Sequence, residues 1–96
     1  MLEIRTNCEN CNKVLPPNST EALICSFECT WCVTCNEELF YNVCPNCGGG
    51  LEKRPIRPLE KLKKYPVTLK KVFKPVDMDK FIVKREKLKN IPPELR

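Results

Sequence analysis

The chain has 96 residues, 42% of them hydrophobic and 30% charged, with eight cysteines, nine prolines and no histidine. That length allows one small domain, or a smaller one with an appendage, and excludes a (β/α)₈ barrel or a doubly wound nucleotide fold. Without histidine no catalytic scheme with an imidazole base is open, and the formal charge of +5 averages two unlike halves: −4 over residues 1–50 and +9 over residues 51–96.

Met1–Asn7 contains no apolar stretch of signal-peptide length, and no later run is long enough to span a membrane, so the expected location is the reducing cytoplasm. All eight cysteines fall between Cys8 and Cys47, with C-x₂-C steps at Cys8–Cys11, Cys29–Cys32, Cys32–Cys35 and Cys44–Cys47. Such a turn aims two thiolates at one centre about 2.3 Å from each sulfur, and in a reducing compartment that favours metal over a disulfide scaffold. Residues 1–50 hold few apolar side chains: Ile4, Val14, Leu15, Leu23, Ile24, Phe27, Trp31, Val33, Leu39, Phe40, Tyr41 and Val43. So small a core does not fold by burial alone. Two structural Zn²⁺, on the order of 10 kcal/mol each, are expected to supply the rest, leaving the metal-free chain unfolded.

Val14-Leu15 reads as a short strand ended by Pro16-Pro17, Asn18-Ser19-Thr20 as a turn, and Ala22-Leu23-Ile24 as a returning strand. Asn36–Tyr41 reads as two helical turns, capped by Asn36, with Glu37 and Glu38 at the favourable end and Leu39 and Phe40 toward a core or groove. Gly48-Gly49-Gly50 marks the edge of a domain spanning 1–50. Beyond it, residues 51–96 form a basic extension, in which Pro55, Pro58, Pro66 and Pro75 cut 51–76 into pieces too short for stable helices. A helix is possible over 77–90, with Asp77 or Asp79 as cap and Met78, Phe81, Ile82, Arg85 and Leu88 on one face.

Spacing alone leaves two pairings of the cysteines open. In series, Cys8, Cys11, Cys25 and Cys29 hold one ion and Cys32, Cys35, Cys44 and Cys47 the other. In a cross-brace, Cys8, Cys11, Cys32 and Cys35 form site 1, and Cys25, Cys29, Cys44 and Cys47 form site 2. Cys29-x₂-Cys32-x₂-Cys35 followed by the distant Cys44-Pro45 also fits an iron–sulfur arrangement, which would leave Cys8, Cys11, Cys25 and Cys47 without a role. Cys25-x₃-Cys29-x₂-Cys32 fits a radical-SAM signature, which needs a far larger barrel than this chain can build.

The stretch Leu23-Ile24-Cys25-Ser26-Phe27-Glu28-Cys29-Thr30-Trp31-Cys32-Val33-Thr34-Cys35 resembles the centre of a RING finger. There an apolar pair precedes the third ligand, an aromatic precedes the fifth, and C-x₂-C closes the run. Cys44-Pro45-Asn46-Cys47 resembles the C-P-x-C that ends RING domains, with Cys29 standing where most have histidine. More closely, residues 1–58 resemble the bacterial family called domain of unknown function 1272. The eight-cysteine frame, Ala22–Cys29 and Arg54-Pro55-Ile56-Arg57-Pro58 carry that match. The resemblance implies the cross-brace: a small metal-stabilised α+β domain, RING-like or treble-clef-like, with a basic C-terminal extension. It implies no activity, because that family has none assigned.

Four thiolates per zinc leave no coordination position open, so the metals are expected to be structural, the chain not an enzyme, and no small-molecule substrate is expected. The function expected is that of a protein-interaction module, with Phe27, Leu39, Phe40, Tyr41 and Pro45 as the partner surface. RING-type ubiquitin-ligase-like recruitment of a conjugating enzyme is an alternative. Against it, Asn10 and Gly48 stand where such RING fingers carry an apolar and a basic residue. Lysines interleaved with aromatics make nucleic-acid binding a further alternative. Two zinc–tetrathiolate centres would make the first half more acidic, so the finger itself is the tail's nearest acidic partner, and eight thiolates with two dications reduce the formal +5 to +1.

Overall fold

Two knuckles of one design bracket the first half of the chain in a computed structural model that describes residues 1–96. In the first, the Cys8 N–H donates to the Lys13 carbonyl at 2.9 Å and the Asn12 N–H donates to the Cys8 carbonyl at 2.9 Å. In the second, the Cys44 N–H donates to the Gly49 carbonyl at 2.8 Å and the Gly48 N–H donates to the Cys44 carbonyl at 2.8 Å. Each turn closes one residue after its second cysteine on a left-handed residue, Asn12 (φ 64°) or Gly48 (φ 79°). Asparagine and glycine are the residues that tolerate this conformation best. Val14 makes only an isolated antiparallel bridge to Asn7, so the strand expected at Val14-Leu15 is reduced to that contact.

Between the knuckles lies a three-stranded antiparallel sheet in the order β2-β1-β3. Strand β1 (Ala22–Ile24) is central, β2 (Thr30–Cys32) pairs with it through Leu23 opposite Trp31, and β3 (Glu52–Lys53) pairs through Leu23 opposite Lys53. The β1–β2 connection is the loop Cys25–Cys29, closed by the Glu28 N–H on the Cys25 carbonyl at 3.0 Å. Helix α1 (Val33–Cys35) follows β2 without a break and widens into a π-turn, Asn36–Phe40. Asn36 therefore closes the helix instead of opening it: its carbonyl accepts from the Tyr41 N–H at 2.8 Å and its Oδ1 from the Asn42 N–H at 2.9 Å. The cap at the other end is the Cys32 sulfur, which accepts from the Cys35 N–H at 3.4 Å.

Six of the eight cysteines are buried, and they share the core with Leu15, Ala22, Trp31, Phe40, Val43, Leu51 and Phe81. Trp31 meets Phe40 edge-on at 5.1 Å, and Phe40 meets Phe81 edge-on at 5.5 Å. Val14 and Phe27, both counted among the apolar stock, are 74% and 71% exposed.

The folded unit does not stop at Gly50. Leu51 is buried, β3 completes the sheet, and the 2%-exposed Arg54 donates to the carbonyls of Arg5, Leu15 and Pro16 at 2.6–3.3 Å. The glycines before it are packing positions as well as a turn: a Cβ on Gly48 would lie 2.9 Å from Leu88 Cδ1, and one on Gly50 2.7 Å from Pro93 Cγ. After one helical turn, α2 (Leu59–Leu62), the chain runs back across the first knuckle. The Thr68 N–H donates to the Ile4 carbonyl, Asn7 Nδ2 to the Val72 carbonyl, and the Lys74 N–H to the Glu9 carbonyl, at 2.8–3.0 Å. Helix α3 (Met78–Leu88) starts on Asp77, whose carboxylate accepts from the Lys80 N–H. It buries Phe81 and packs Met78 and Leu88 on the core, as the spacing predicts for that face, while Ile82 is 39% exposed at its margin. No helix is long and apolar enough to cross a membrane.

Candidate metal centres

Four sulfurs converge where the first knuckle meets the end of β2. Cys8, Cys11, Cys32 and Cys35 have their Sγ atoms within 4.8 Å of one another. The Cys8–Cys35 separation is 3.9 Å and the Cys11–Cys32 separation 3.7 Å. A tetrahedron with metal–sulfur bonds of about 2.3 Å has edges of about 3.8 Å, so these sulfurs fit around one zinc-sized ion. They are far too distant for a disulfide, and all eight thiols are free. In the second group Cys25, Cys44 and Cys47 lie within the same 4.8 Å limit. Cys29, expected as their fourth companion, falls outside that limit. Its buried sulfur instead accepts from Asn46 Nδ2, inside the second knuckle, at 3.2 Å. The structure thus holds two cysteine groups, of four and three, placed to bind metal and consistent with zinc.

The surroundings offer the sulfurs hydrogen-bond donors, but at the buried ones these do not offset the cost of burying thiolate charge without a metal. Main-chain N–H groups point at the sulfurs: Phe27 at Cys25 (3.3 Å), Cys35 at Cys32 (3.4 Å) and Gly49 at Cys47 (3.4 Å). Burial pushes the metal-free Cys25, Cys32, Cys35 and Cys44 thiols up from their ordinary range. Exposed Cys11 moves down, because slight burial is outweighed by the Lys13 N–H and its neighbouring cysteines. A metal ion that binds here must displace protons from the buried sulfurs.

Two residues that metal-ligand spacing does not reveal are Asn10 and Asn46. Each occupies the third place of its knuckle, Cys8-Glu9-Asn10-Cys11 and Cys44-Pro45-Asn46-Cys47. Asn10 Nδ2 donates to Cys35 at 3.4 Å, and Asn46 Nδ2 donates to Cys29 at 3.2 Å. The repeated C-x-N-C was the available signal. Glu9 is a third such residue: 3% exposed, it accepts from the Thr30 N–H and from Arg5 Nη1 at 2.9 Å, and so ties the first knuckle to β2.

Residues 1–57 match the family described as "Protein of unknown function (DUF1272)". The chain belongs to this family. An uncharacterized protein of Rhizobium meliloti (strain 1021) is 53% identical over 75 residues, which cover 78% of this chain and 89% of the relative. No solved structure matches. The similarity to the relative extends over more residues than the DUF1272 match itself.

Of the five residues expected to form a partner surface, this DUF1272 chain fully buries Phe40 between Trp31 and Phe81. Phe40 is thus a core residue, because α3 already occupies that groove. The Leu39 carbonyl accepts from Arg85 Nη1 at 2.9 Å, and the Pro45 carbonyl accepts from Lys84 Nζ at 3.3 Å. Tyr41, 43% exposed, lies under the Arg85 guanidinium at 4.4 Å. Phe27 alone stands clear.

Proposed function

We propose that this protein is a non-catalytic binding module held together by two structural zinc ions in a RING-like, treble-clef-like cross-brace. The observation that carries the reading is the first sulfur group, whose members come from the first and third cysteine pairs and whose measured edges are 3.7 and 3.9 Å. Cys29 completes the second site by equivalence. Asn10 donates to the last cysteine of the pair facing its knuckle, Cys35, and Asn46 donates to Cys29, the last cysteine of the pair facing its own. Closed tetrathiolate sites leave no place for a reacting water, which favours a scaffold over an enzyme. Eight free thiols fit a reducing compartment, here the cytoplasm.

Metal analysis and paired substitutions test this. Two zinc ions per chain are expected, with Cys8→Ser and Cys32→Ser each abolishing the same one, and Cys29→Ser abolishing the other. Loss of different ions from Cys8→Ser and Cys32→Ser would replace the cross-brace with a serial pair. A brown, iron-containing protein would discard zinc altogether.

A further inference from the structure

The basic extension divides its two kinds of cation between two tasks. All four arginines of residues 51–96 hold backbone carbonyls of the finger: Arg54 those of Arg5, Leu15 and Pro16, Arg57 that of Leu2, Arg85 that of Leu39, and Arg96 those of Asn42 and Gly48. The lysine side chains of the arm that runs from the end of α2 to α3 make no such contacts. Lys61, Lys63, Lys64, Lys70, Lys71 and Lys74 are all exposed, and none forms an ion pair. No carboxylate occurs from Lys61 to Val76. No salt bridge joins any cation of the extension to an acid of the finger, so the finger is not the anion these lysines serve.

Apolar side chains stand among these charges. Tyr65 is 37% exposed, Phe73 51% and Leu69 99%. Lys64 Nζ sits 5.6 Å from the Tyr65 ring centroid, which places charge beside an aromatic face. Lys61 to Tyr65 form the end of α2 and the turn after it, where the Tyr65 N–H donates to the Lys61 carbonyl at 2.8 Å. From Pro66 to Pro75 the arm has no helix or strand, and backbone bonds from Thr68 and Lys74 to Ile4 and Glu9 fix it on the finger. An anchored arm of unpaired, exposed lysines with interspersed rings matches what a single nucleic-acid strand requires: cations along the phosphates and π-faces for unpaired bases. A membrane surface instead favours an amphipathic helix with one apolar face, which this proline-bounded arm does not form.

We propose that the Lys61–Lys74 arm binds single-stranded nucleic acid, with the lysines on phosphates and Tyr65 and Phe73 stacking on bases. The proposal rests on the binding-module reading above and deepens it by naming the partner. Being mainly electrostatic, binding weakens steeply with salt. Six phosphate contacts on a single strand give a slope of about −4 in log affinity against log salt, a loss of roughly 300-fold between 50 and 200 mM.

The experiment is fluorescence anisotropy of the zinc-loaded full chain with labelled oligothymidylate and oligouridylate of about twenty nucleotides, long enough for a site of this class. The Lys63→Glu, Lys64→Glu, Lys70→Glu, Lys71→Glu combination is expected to abolish binding while zinc content and Trp31 fluorescence stay unchanged. Tyr65→Leu and Phe73→Leu are each expected to weaken binding roughly five- to hundredfold, the loss of one base–aromatic stack. Absence of binding at 25 mM salt overturns the proposal, as does binding indifferent to both ring substitutions. Equal affinity for polyglutamate or for phosphatidylserine vesicles overturns it too, in favour of an acidic protein or a membrane. Zinc stoichiometry from the same preparations separates the outcomes: two ions without oligonucleotide binding refutes the arm alone, whereas missing ions refute the module beneath it.

Discussion

Replacing Phe81 by alanine is expected to weaken zinc binding at sites to which it contributes no ligand. Phe81 is 5% exposed and stands edge-on to Phe40, which stands edge-on to Trp31, the residue before Cys32. Truncating a buried phenylalanine costs about 3–5 kcal/mol, of which an edge-to-face pair contributes roughly 0.5–1.5. If the metal-free chain is unfolded, metal-binding free energy is folding free energy, and the loss must appear in metal affinity. At about 1.4 kcal/mol per decade this is two to nearly four decades in the product of the two zinc dissociation constants. A shift near the lower limit is expected if α3 undocks, since the loss is then capped by the free energy of docking. The assay is competition for zinc against a chromophoric chelator at constant pH, with Trp31 fluorescence followed in parallel. Zinc affinity unchanged from the parent chain would refute the reasoning. It would show that α3 is a separable appendage and that the aromatic relay does not couple it to the metals.

Four further outcomes follow from the same geometry. Asn10→Ala and Asn46→Ala are each expected to lower zinc affinity 10- to 100-fold, at the first and second site respectively, measurable by native mass spectrometry during chelator titration. Gly50→Ala drives a Cβ to 2.7 Å from Pro93 Cγ and is expected to cost about 1–3 kcal/mol, read as a lowered Tm, and Pro93→Ala in the same chain should recover part of it. Arg54→Lys should destabilise by about 2–3 kcal/mol in denaturant, because a point charge cannot reach the carbonyls of Arg5, Leu15 and Pro16 together, whereas Lys53→Arg should leave stability unchanged. Acidification should release zinc. Burial holds the free Cys25, Cys32, Cys35 and Cys44 thiols protonated at neutral pH, two in each group, so binding expels at least about two protons per ion and affinity falls as pH falls. Calorimetry in buffers of different ionisation enthalpy counts those protons.

The grouping of the cysteines is legible in part because C-x₂-C spacing is set by local geometry, with Cys29 outside the second group, and Ala22–Ile24 and Met78–Leu88 are legible because each carries its own pattern. What pairs with them is not. β2 is Thr30-Trp31-Cys32, too short and too rich in ligands to announce a strand, and β3 is two residues just past a triple glycine. Asn36 has the chemistry of an N-cap, yet the helix starts three residues earlier because Cys32 already supplies the capping acceptor. Phe40 looked like surface because its cover, Phe81, lies 41 positions away in a segment whose composition reads as a detached basic tail. Composition weighs lysine and arginine alike, and here that concealed the tail's anchoring.

Guanidinium groups bridge several carbonyls in a fixed plane, whereas ammonium groups keep a tight hydration shell and stay in water. A tail that had merely to neutralise the two cysteine groups would place its cations beside the sulfurs or the finger's carboxylates. Instead its arginines hold neutral carbonyls, and of its lysines only Lys84 reaches the second knuckle, through the carbonyls of Pro45 and Asn46. The finger's best-buried acid, Glu9, is satisfied by Arg5 from the finger itself. Attachment of the extension therefore depends on hydrogen bonds and on the Phe40–Phe81 contact, which salt screens weakly. The lysine arm depends on unpaired exposed charge, which salt screens strongly. Raising ionic strength should thus leave α3 docked and the metals bound while removing any polyanion from the arm.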